Sequence, residues 1–351
     1  MAQQASNHSV HPAHPRNWTQ SLTIALLWLL GRLPWRWSIA IGSGLGRAAY
    51  YVARERRYVA RRNLELCFPE RSSHERERML RQNFAYTGRG IAELALAWFG
   101  GTKVDRIPCT YRGFEHLRAA LDRDQPVILL SGHFCCLELA ARFFGLHAKV
   151  AGIYKPIKKK PLLDRVMRDA RGRNTAAVVS RTDVRGILRL MRTATPIWYA
   201  GDQHMKKVER VFAPFFGIPT ATTTGLPRLT QLGKALVLPT FYNVDPTGKG
   251  YEITIEAPLD DYPSEDVLAD VTRMNSVLES AIRRHPTQYF WVHRRFKKRP
   301  RDAPRAYPDL RRARTGGLPR DKKTTRTQRK KHVETAQPND ADRGQRTDDA
   351  H

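Results

Sequence analysis

Residues 127–144 read VILLSGHFCCLELAARFF, placing His133, Cys135, Cys136 and Glu138 within six positions of one another. Two chemistries suit these residue types. A carboxylate bonded to one imidazole nitrogen fixes the tautomer and stabilises the imidazolium, leaving the other nitrogen to take a proton from a hydroxyl. That pair would assist attack by an alcohol on an acyl carbonyl with no covalent enzyme intermediate. A thiol in the first turn of a helix is instead acidified by the helix N-terminus and can itself be a nucleophile. Against both stands a buried turn, in which the pair is structural and the cysteines pack as small apolar side chains.

The spacing says which elements must hold the pair. Positions i and i+5 lie about 140° apart around a regular helix, so His133 and Glu138 cannot meet on one continuous helix. They can face each other if His133 sits in a turn and Glu138 in the first turns of the next helix. The run PVILL (126–130) followed by Ser131 and Gly132 puts His133 at the carboxyl end of a strand, where open α/β sheets bind their ligands. Backbone N–H groups near Phe134 are then expected at the start of the helix, where they can stabilise negative charge on a reacting oxygen.

The flanking sequence alternates in the same way. Short apolar runs recur at KVAGIY (149–154), AAVVS (176–180), PIWYA (196–200) and ALVLPTF (235–241), with helical patterns at 134–145, 160–171 and 183–193. Alternation of this kind predicts an α/β domain with a largely parallel central sheet flanked by helices. YEITIEAPL (251–259) reads as a later strand, paired with the one before it through DPTGKG (245–250), and a helix over 264–284 closes the domain. Ser72 and Glu75 form an S-x-x-E capping box, opening a helix that runs to Trp98.

The N-terminal part carries the membrane question. WTQSLTIALLWLL (18–30) is apolar but shorter than a span of roughly 20 residues, and Gly31, Arg32, Pro34 and Arg36 interrupt it. Trp18, Trp28, Trp35 and Trp37 suit a headgroup boundary, and the arginines from Arg54 to Arg62 favour a cytoplasmic position for the residues beyond them. A membrane-anchoring helical segment, spanning or embedded, is expected there; a core helix of a soluble protein is the alternative. The expected divisions are a disordered stretch over 1–16, the anchoring region over 17–62, the α/β domain over 63–300 and a disordered basic tail over 301–351.

The chain of 351 residues has a net charge of +28. Residues 297–332 hold 15 Lys or Arg against 3 Asp, so +16 remains on the rest of the chain. Anionic lipid, an acidic protein or an anionic substrate fits that excess. Nucleic acid fits the tail by charge alone, but aromatic interleaving is limited to Tyr307 and no recognition fold is visible. The four cysteines form no CxxC and no zinc-like set with histidine, which excludes a metal site of that kind and a disulfide framework.

Beyond these residues lies a series of longer matches. HFCCLE resembles the H-x4-D/E motif of the lysophospholipid acyltransferase superfamily. In order along the chain, YKPIKKKPLLDRVMRDARGRN (154–174), VVSRTDVRGILRLM (178–191), WYAGDQ (198–203), FAPFFGIPTATTTGLPRL (212–229) and QYFWVHRRFKKRP (288–300) resemble successive blocks of the lipid A biosynthesis late acyltransferases. The resemblance covers roughly residues 15–305. It implies an acyl carrier protein thioester as donor and co-substrate, no cofactor or metal, a phosphorylated glycolipid acceptor (a lipid A precursor), and inner-membrane lipids as surroundings, with catalysis on the cytoplasmic side.

By match to those motifs, His133 and Glu138 carry the catalytic roles, Glu138 orienting His133. Arg181 and Asp202 occupy the charged positions of the second and third blocks and are expected to bind substrate. Lys155, with Lys158, Lys159 and Lys160, is expected to meet glycolipid phosphates or the acidic carrier protein. His293, Arg294 and Arg295 are expected at a strand end presenting charge outward. The QHMKKVER stretch (203–210) and the serine before Gly132 depart from the lauroyl pattern, which leaves chain length and acceptor open. The rival readings are an acyltransferase for another glycolipid or lysophospholipid, and a non-enzymatic basic protein that binds membranes or nucleic acid.

Overall fold

The computed structural model describes residues 17–203 and 208–315. In it the run PVILL becomes β2 (Val127–Ser131), buried at every position. A strand apolar on both faces belongs in the middle of a sheet covered on both sides, and β2 lies there. Parallel partners flank β2: β5 (Ile197–Ala200) on one side and β8 (Leu236–Val244) on the other. Outside β5 lie β3 (Ala151–Tyr154) and then β4 (Ala177–Ser180), all parallel. Outside β8 lies β9 (Tyr251–Ile255), antiparallel to it through the expected turn, and then β1 (Cys109–Arg112), parallel to β9. The seven-stranded order is β1-β9-β8-β2-β5-β3-β4. This is a mixed α/β fold with a mostly parallel central sheet.

The helices, numbered in chain order, are α1 (Trp18–Arg32), α2 (Trp35–Val52), α3 (Arg54–Cys67), α4 (Ser73–Phe99), α5 (Phe114–Leu121), α6 (Leu137–Phe144), α7 (Pro161–Gly172), α8 (Val184–Arg192), α9 (Gly225–Gly233) and α10 (Val267–Arg284). The capping box at the start of α4 forms: the Ser72 N–H donates to Glu75 Oε2 at 2.8 Å and the Glu75 N–H to Ser72 Oγ at 3.2 Å. Residues 212–229, visible in the sequence only as a motif block, belong to an element of their own. A second, two-stranded sheet pairs β6 (Arg210–Phe215) antiparallel with β7 (Ile218–Thr223), and α9 comes directly after it.

The N-terminal helices do not stand apart from the α/β unit. On α2 the buried positions Ser38, Gly42, Gly46 and Tyr50 recur every fourth residue, which makes one helical face. That face lies against α4 with backbones in contact. A Cβ on Gly88 would stand 2.2 Å from the Gly42 carbonyl oxygen and 2.5 Å from Gly46 Cα. The adjacent face, about 100° round the helix, is apolar and exposed at Trp37, Ile41 and Leu45, and α1 carries an exposed stripe of Trp18, Leu22, Leu26 and Leu29. Among the described residues no helix is long and apolar enough to cross a membrane.

Two boundaries differ from expectation. The folded unit runs on to Pro308 rather than stopping at 300. Ala306 is buried there, and the Tyr307 hydroxyl donates to Asn63 Oδ1 at 2.6 Å. Residues 309–315, expected within a disordered tail, contain a short helix, α11 (Leu310–Thr315). The stretches 1–16 and 316–351, and residues 204–207 of the third block's continuation, lie outside the described residues.

Candidate active site

Parallel register explains why two distant side chains meet. Ser131 at the end of β2 pairs with Ala200 at the end of β5. Two more residues along each strand bring His133 opposite Asp202. The contact is close: His133 Nδ1 lies 2.6 Å from Asp202 Oδ1, and the His133 backbone N–H donates to Asp202 Oδ2 at 2.9 Å. Tyr289 donates its hydroxyl to the same Oδ2 at 2.8 Å.

The two side chains differ in access. The His133 side chain is 30% exposed and that of Asp202 is 1% exposed. Burial alone would push the Asp202 carboxyl up. The His133 charge, the His133 ring and backbone hydrogen bonds and the Tyr289 hydroxyl outweigh that and hold it well below the usual carboxylate range. Asp202 is therefore an ionised, inaccessible anchor for an accessible imidazole. It accepts three hydrogen bonds from the protein, and where the sequence leads to an expected substrate contact it lies buried behind His133.

Glu138 is placed elsewhere. It lies in the first turn of α6, as the spacing required, but its carboxylate pairs with Arg171 of α7 and accepts from Trp98 Nε1 at 3.0 Å. The sequence expectation pairs Glu138 with His133; in the structure the carboxylate at the ring is that of Asp202, two residues past β5, and Glu138 ties α6 to α7 and α4. The backbone donors expected near Phe134 are also committed. The Phe134 N–H donates to the Gly132 carbonyl at 3.0 Å and the Cys135 N–H to the Gln288 carbonyl at 2.8 Å. The helix proper starts at Leu137, three residues later than the sequence pattern indicated.

Segment 287–293 fixes the His133 turn. Phe134 and Tyr289 form an antiparallel bridge, and the Phe290 N–H donates to the His133 carbonyl at 3.0 Å. The segment is pinned by two buried asparagines. Asn83 of α4 donates to the Thr287 and Tyr289 carbonyls at 2.9 and 2.6 Å, and Asn63 of α3 to those of Trp291 and His293 at 2.7 and 2.8 Å. Sequence reasoning misses Tyr289, Asn63 and Asn83. The available signal is a single amide on each otherwise apolar helix face, Asn83 lying between Leu80 and Phe84. Arg295, expected to present charge outward, is buried and donates to the Ala221 carbonyl at 3.0 Å and Thr222 Oγ1 at 2.8 Å.

His133 lines two cavities. One, of about 260 Å³, runs between the sheet and helices α6 and α7, lined chiefly by apolar side chains such as Leu129, Leu137, Phe144, Val150 and Met167. The other, of about 590 Å³, is lined by Arg181, Arg228, Glu209, Gln203 and His293 as well as apolar groups. Lys155, Tyr154, Ile153 and Trp198 border both. Arg181 lines the larger cavity and Lys155 both of them. Asp183 caps α8 through the Gly186 N–H at 2.9 Å.

The cysteines sit badly for a nucleophile. Burial pushes the Cys135 thiol up to about 12 and that of Cys136 well above its ordinary range. Arg89 pulls Cys136 the other way, but burial outweighs that cation, so neither thiol is poised as a thiolate at neutral pH.

Known proteins resemble this chain over most of its length. A family model, Bacterial lipid A biosynthesis acyltransferase, matches residues 6–298. The chain is 36% identical over 295 residues to the lipid A biosynthesis lauroyltransferase of Escherichia coli K12, covering 84% of this chain and 96% of that protein. It is 34% identical over 288 residues to the palmitoleoyltransferase of the same strain, covering 82% and 94%. To that strain's myristoyltransferase it is 27% identical over 289 residues, covering 82% and 89%. The matched span contains β2, β5, the His133–Asp202 pair and the closing segment that braces it, so the chain belongs to the bacterial lipid A biosynthesis acyltransferase family.

Proposed function

We propose that the chain transfers a fatty acyl group from an acyl carrier protein thioester to a hydroxyl of a phosphorylated glucosamine lipid, the lipid A precursor, at a membrane surface. One observation carries the reading: an accessible imidazole, its Nδ1 held by a buried carboxylate, stands where an apolar cavity meets a second one whose wall also carries charged side chains. The first suits a fatty chain, and the charged groups of the second suit a charged acceptor. The reacting carbonyl and the hydroxyl then meet beside His133 Nε2.

The step balances without a covalent enzyme intermediate. The acceptor oxygen attacks the thioester carbonyl carbon while its proton passes to His133 Nε2. Asp202 stabilises the imidazolium that results. As the tetrahedral intermediate collapses, the carbon–sulfur bond breaks and the imidazolium returns the proton to the departing sulfur, giving an ester and a thiol. Arg181 on the polar wall suits an acceptor phosphate. Lys155 at the shared rim, with exposed Lys158, Lys159 and Lys160 beside it, suits an acidic carrier protein.

The exposed stripe on α1 and α2, flanked by exposed Arg32, Arg36 and Arg47, supports an interfacial attachment in which the helices lie in the headgroup plane. At 1.5 Å per residue, α1 reaches only about 22 Å, against a hydrocarbon core of about 30 Å. The test is mass spectrometry of lipid products from purified protein, acyl carrier thioesters and tetra-acylated lipid A precursor. One added acyl chain is expected with wild type and none with His133→Ala; no added chain with any donor overturns the reading.

A further inference from the structure

Resting on the reading of the apolar cavity as the acyl site, we infer that Gly152 sets the length of fatty chain the protein accepts. Gly152 lies in β3, opposite Val178 on β4 and Trp198 on β5. Both of those residues line the apolar cavity, as does Tyr154 two positions on, so this is the sheet face that forms the cavity wall. Gly152 is the place on that wall where the side chain is missing.

Two glycines line the cavity, and they differ. A Cβ on Gly145 would stand 2.2 Å from the Asn174 carbonyl oxygen, so close backbone packing accounts for that glycine. A Cβ on Gly152 meets nothing within 4 Å. Nor does its backbone demand glycine, since Gly152 is not among the residues with positive φ. Neither packing nor conformation accounts for it. What its missing side chain leaves is room in the cavity.

Its depth fits the role. Trp198 pairs with Gly152 on one side and Leu129 on the other, so Gly152 lies level with a residue four positions before His133. That is roughly 13 Å of strand at about 3.3 Å per residue. A side chain there would meet the distal part of a fatty chain and leave its carbonyl free at His133. A β-branched residue suits a strand, so Gly152→Val and Gly152→Ile should fold while filling the void in steps.

The test uses the full chain and a fluorescent fatty acid, displaced by a ladder of saturated fatty acids differing by two carbons. Gly172→Ala, at an exposed site outside the cavity where a Cβ also meets nothing, controls for loss of a glycine, and thermal melts confirm folding. The longest chain that wild type binds well should weaken at least ~10-fold in Gly152→Ile. Shorter chains should keep their affinity, and Gly152→Ala should fall between. A wild type with a clear length optimum that every Gly152 variant shares overturns the role of Gly152 and leaves the acyl-site reading intact. A wild type that binds no fatty acid of any length overturns that reading, and the inference with it.

Discussion

Asp202 accepts from the His133 ring, the His133 backbone and the Tyr289 hydroxyl while almost wholly buried. Its charge is therefore stabilised by fixed hydrogen-bond donors, and is felt at His133 with little screening by water. Burial governs Cys135 and Cys136 instead and raises both thiols, so the Cys135→Ala/Cys136→Ala double variant should keep turnover within about threefold of wild type, whereas loss of a general base costs on the order of 10²–10⁴. His293 faces the opposite case. Burial, with neighbouring arginines, lowers it from 6.5 to about 4 against the opposing pull of Asp202. The unfolded chain therefore binds a proton as pH falls through 6.5 while the folded chain resists until about 4, so stability is lost across that window and levels off below it. Thermal melts over this range should show a smaller fall for His293→Gln. His285, shifted in the same direction by burial, continues to contribute in both proteins. The residue types at 133 and 138 were legible as chemistry, but the identity of the histidine's partner was not. Spacing reports neighbours along the chain, and the carboxylate that reaches His133 lies 69 positions away.

At the scale of elements, most of the strand–helix alternation was legible, because buried parallel strands read as short apolar runs and their crossover helices as amphipathic ones. The hairpin of β6 and β7 escaped because proline and threonine blur its alternation: β7 reads IPTATT. The asparagine braces escaped because an amide inside a helix has meaning only once its partner segment is known. Asn83→Ala would strip the half-buried Thr287 carbonyl of its Asn83 donor and leave the buried Tyr289 carbonyl with the Trp291 N–H. Loss of such a donor costs about 1–3 kcal/mol, so chemical denaturation should show a loss of that size. The contact of α2 with α4 makes a separate prediction. Gly88→Val drives a side chain into the Gly42 and Gly46 backbone, and overpacking of this kind costs about 1–3 kcal/mol or more, measurable as a lowered denaturation midpoint.

For the whole molecule, the basic charge and the exposed apolar stripe on α1 and α2 act together. Vesicle flotation should show binding that strengthens with anionic lipid and weakens with salt. Leu22→Ser/Leu26→Ser/Leu29→Ser should reduce it severalfold while leaving the His133 site intact. The two cavities that meet at His133 were not legible in the sequence, since a cavity is made by what several elements fail to fill. The central claim is that Asp202, and not Glu138, holds the catalytic imidazole. It is tested most directly by single-turnover acyl transfer at saturating substrates with Asp202→Asn and Glu138→Gln side by side. Asp202→Asn should slow the transfer step about 10³-fold, within the range expected when base catalysis is lost, and Glu138→Gln should slow it far less. Transfer by Asp202→Asn within tenfold of wild type, with Glu138→Gln inactive, would contradict the account.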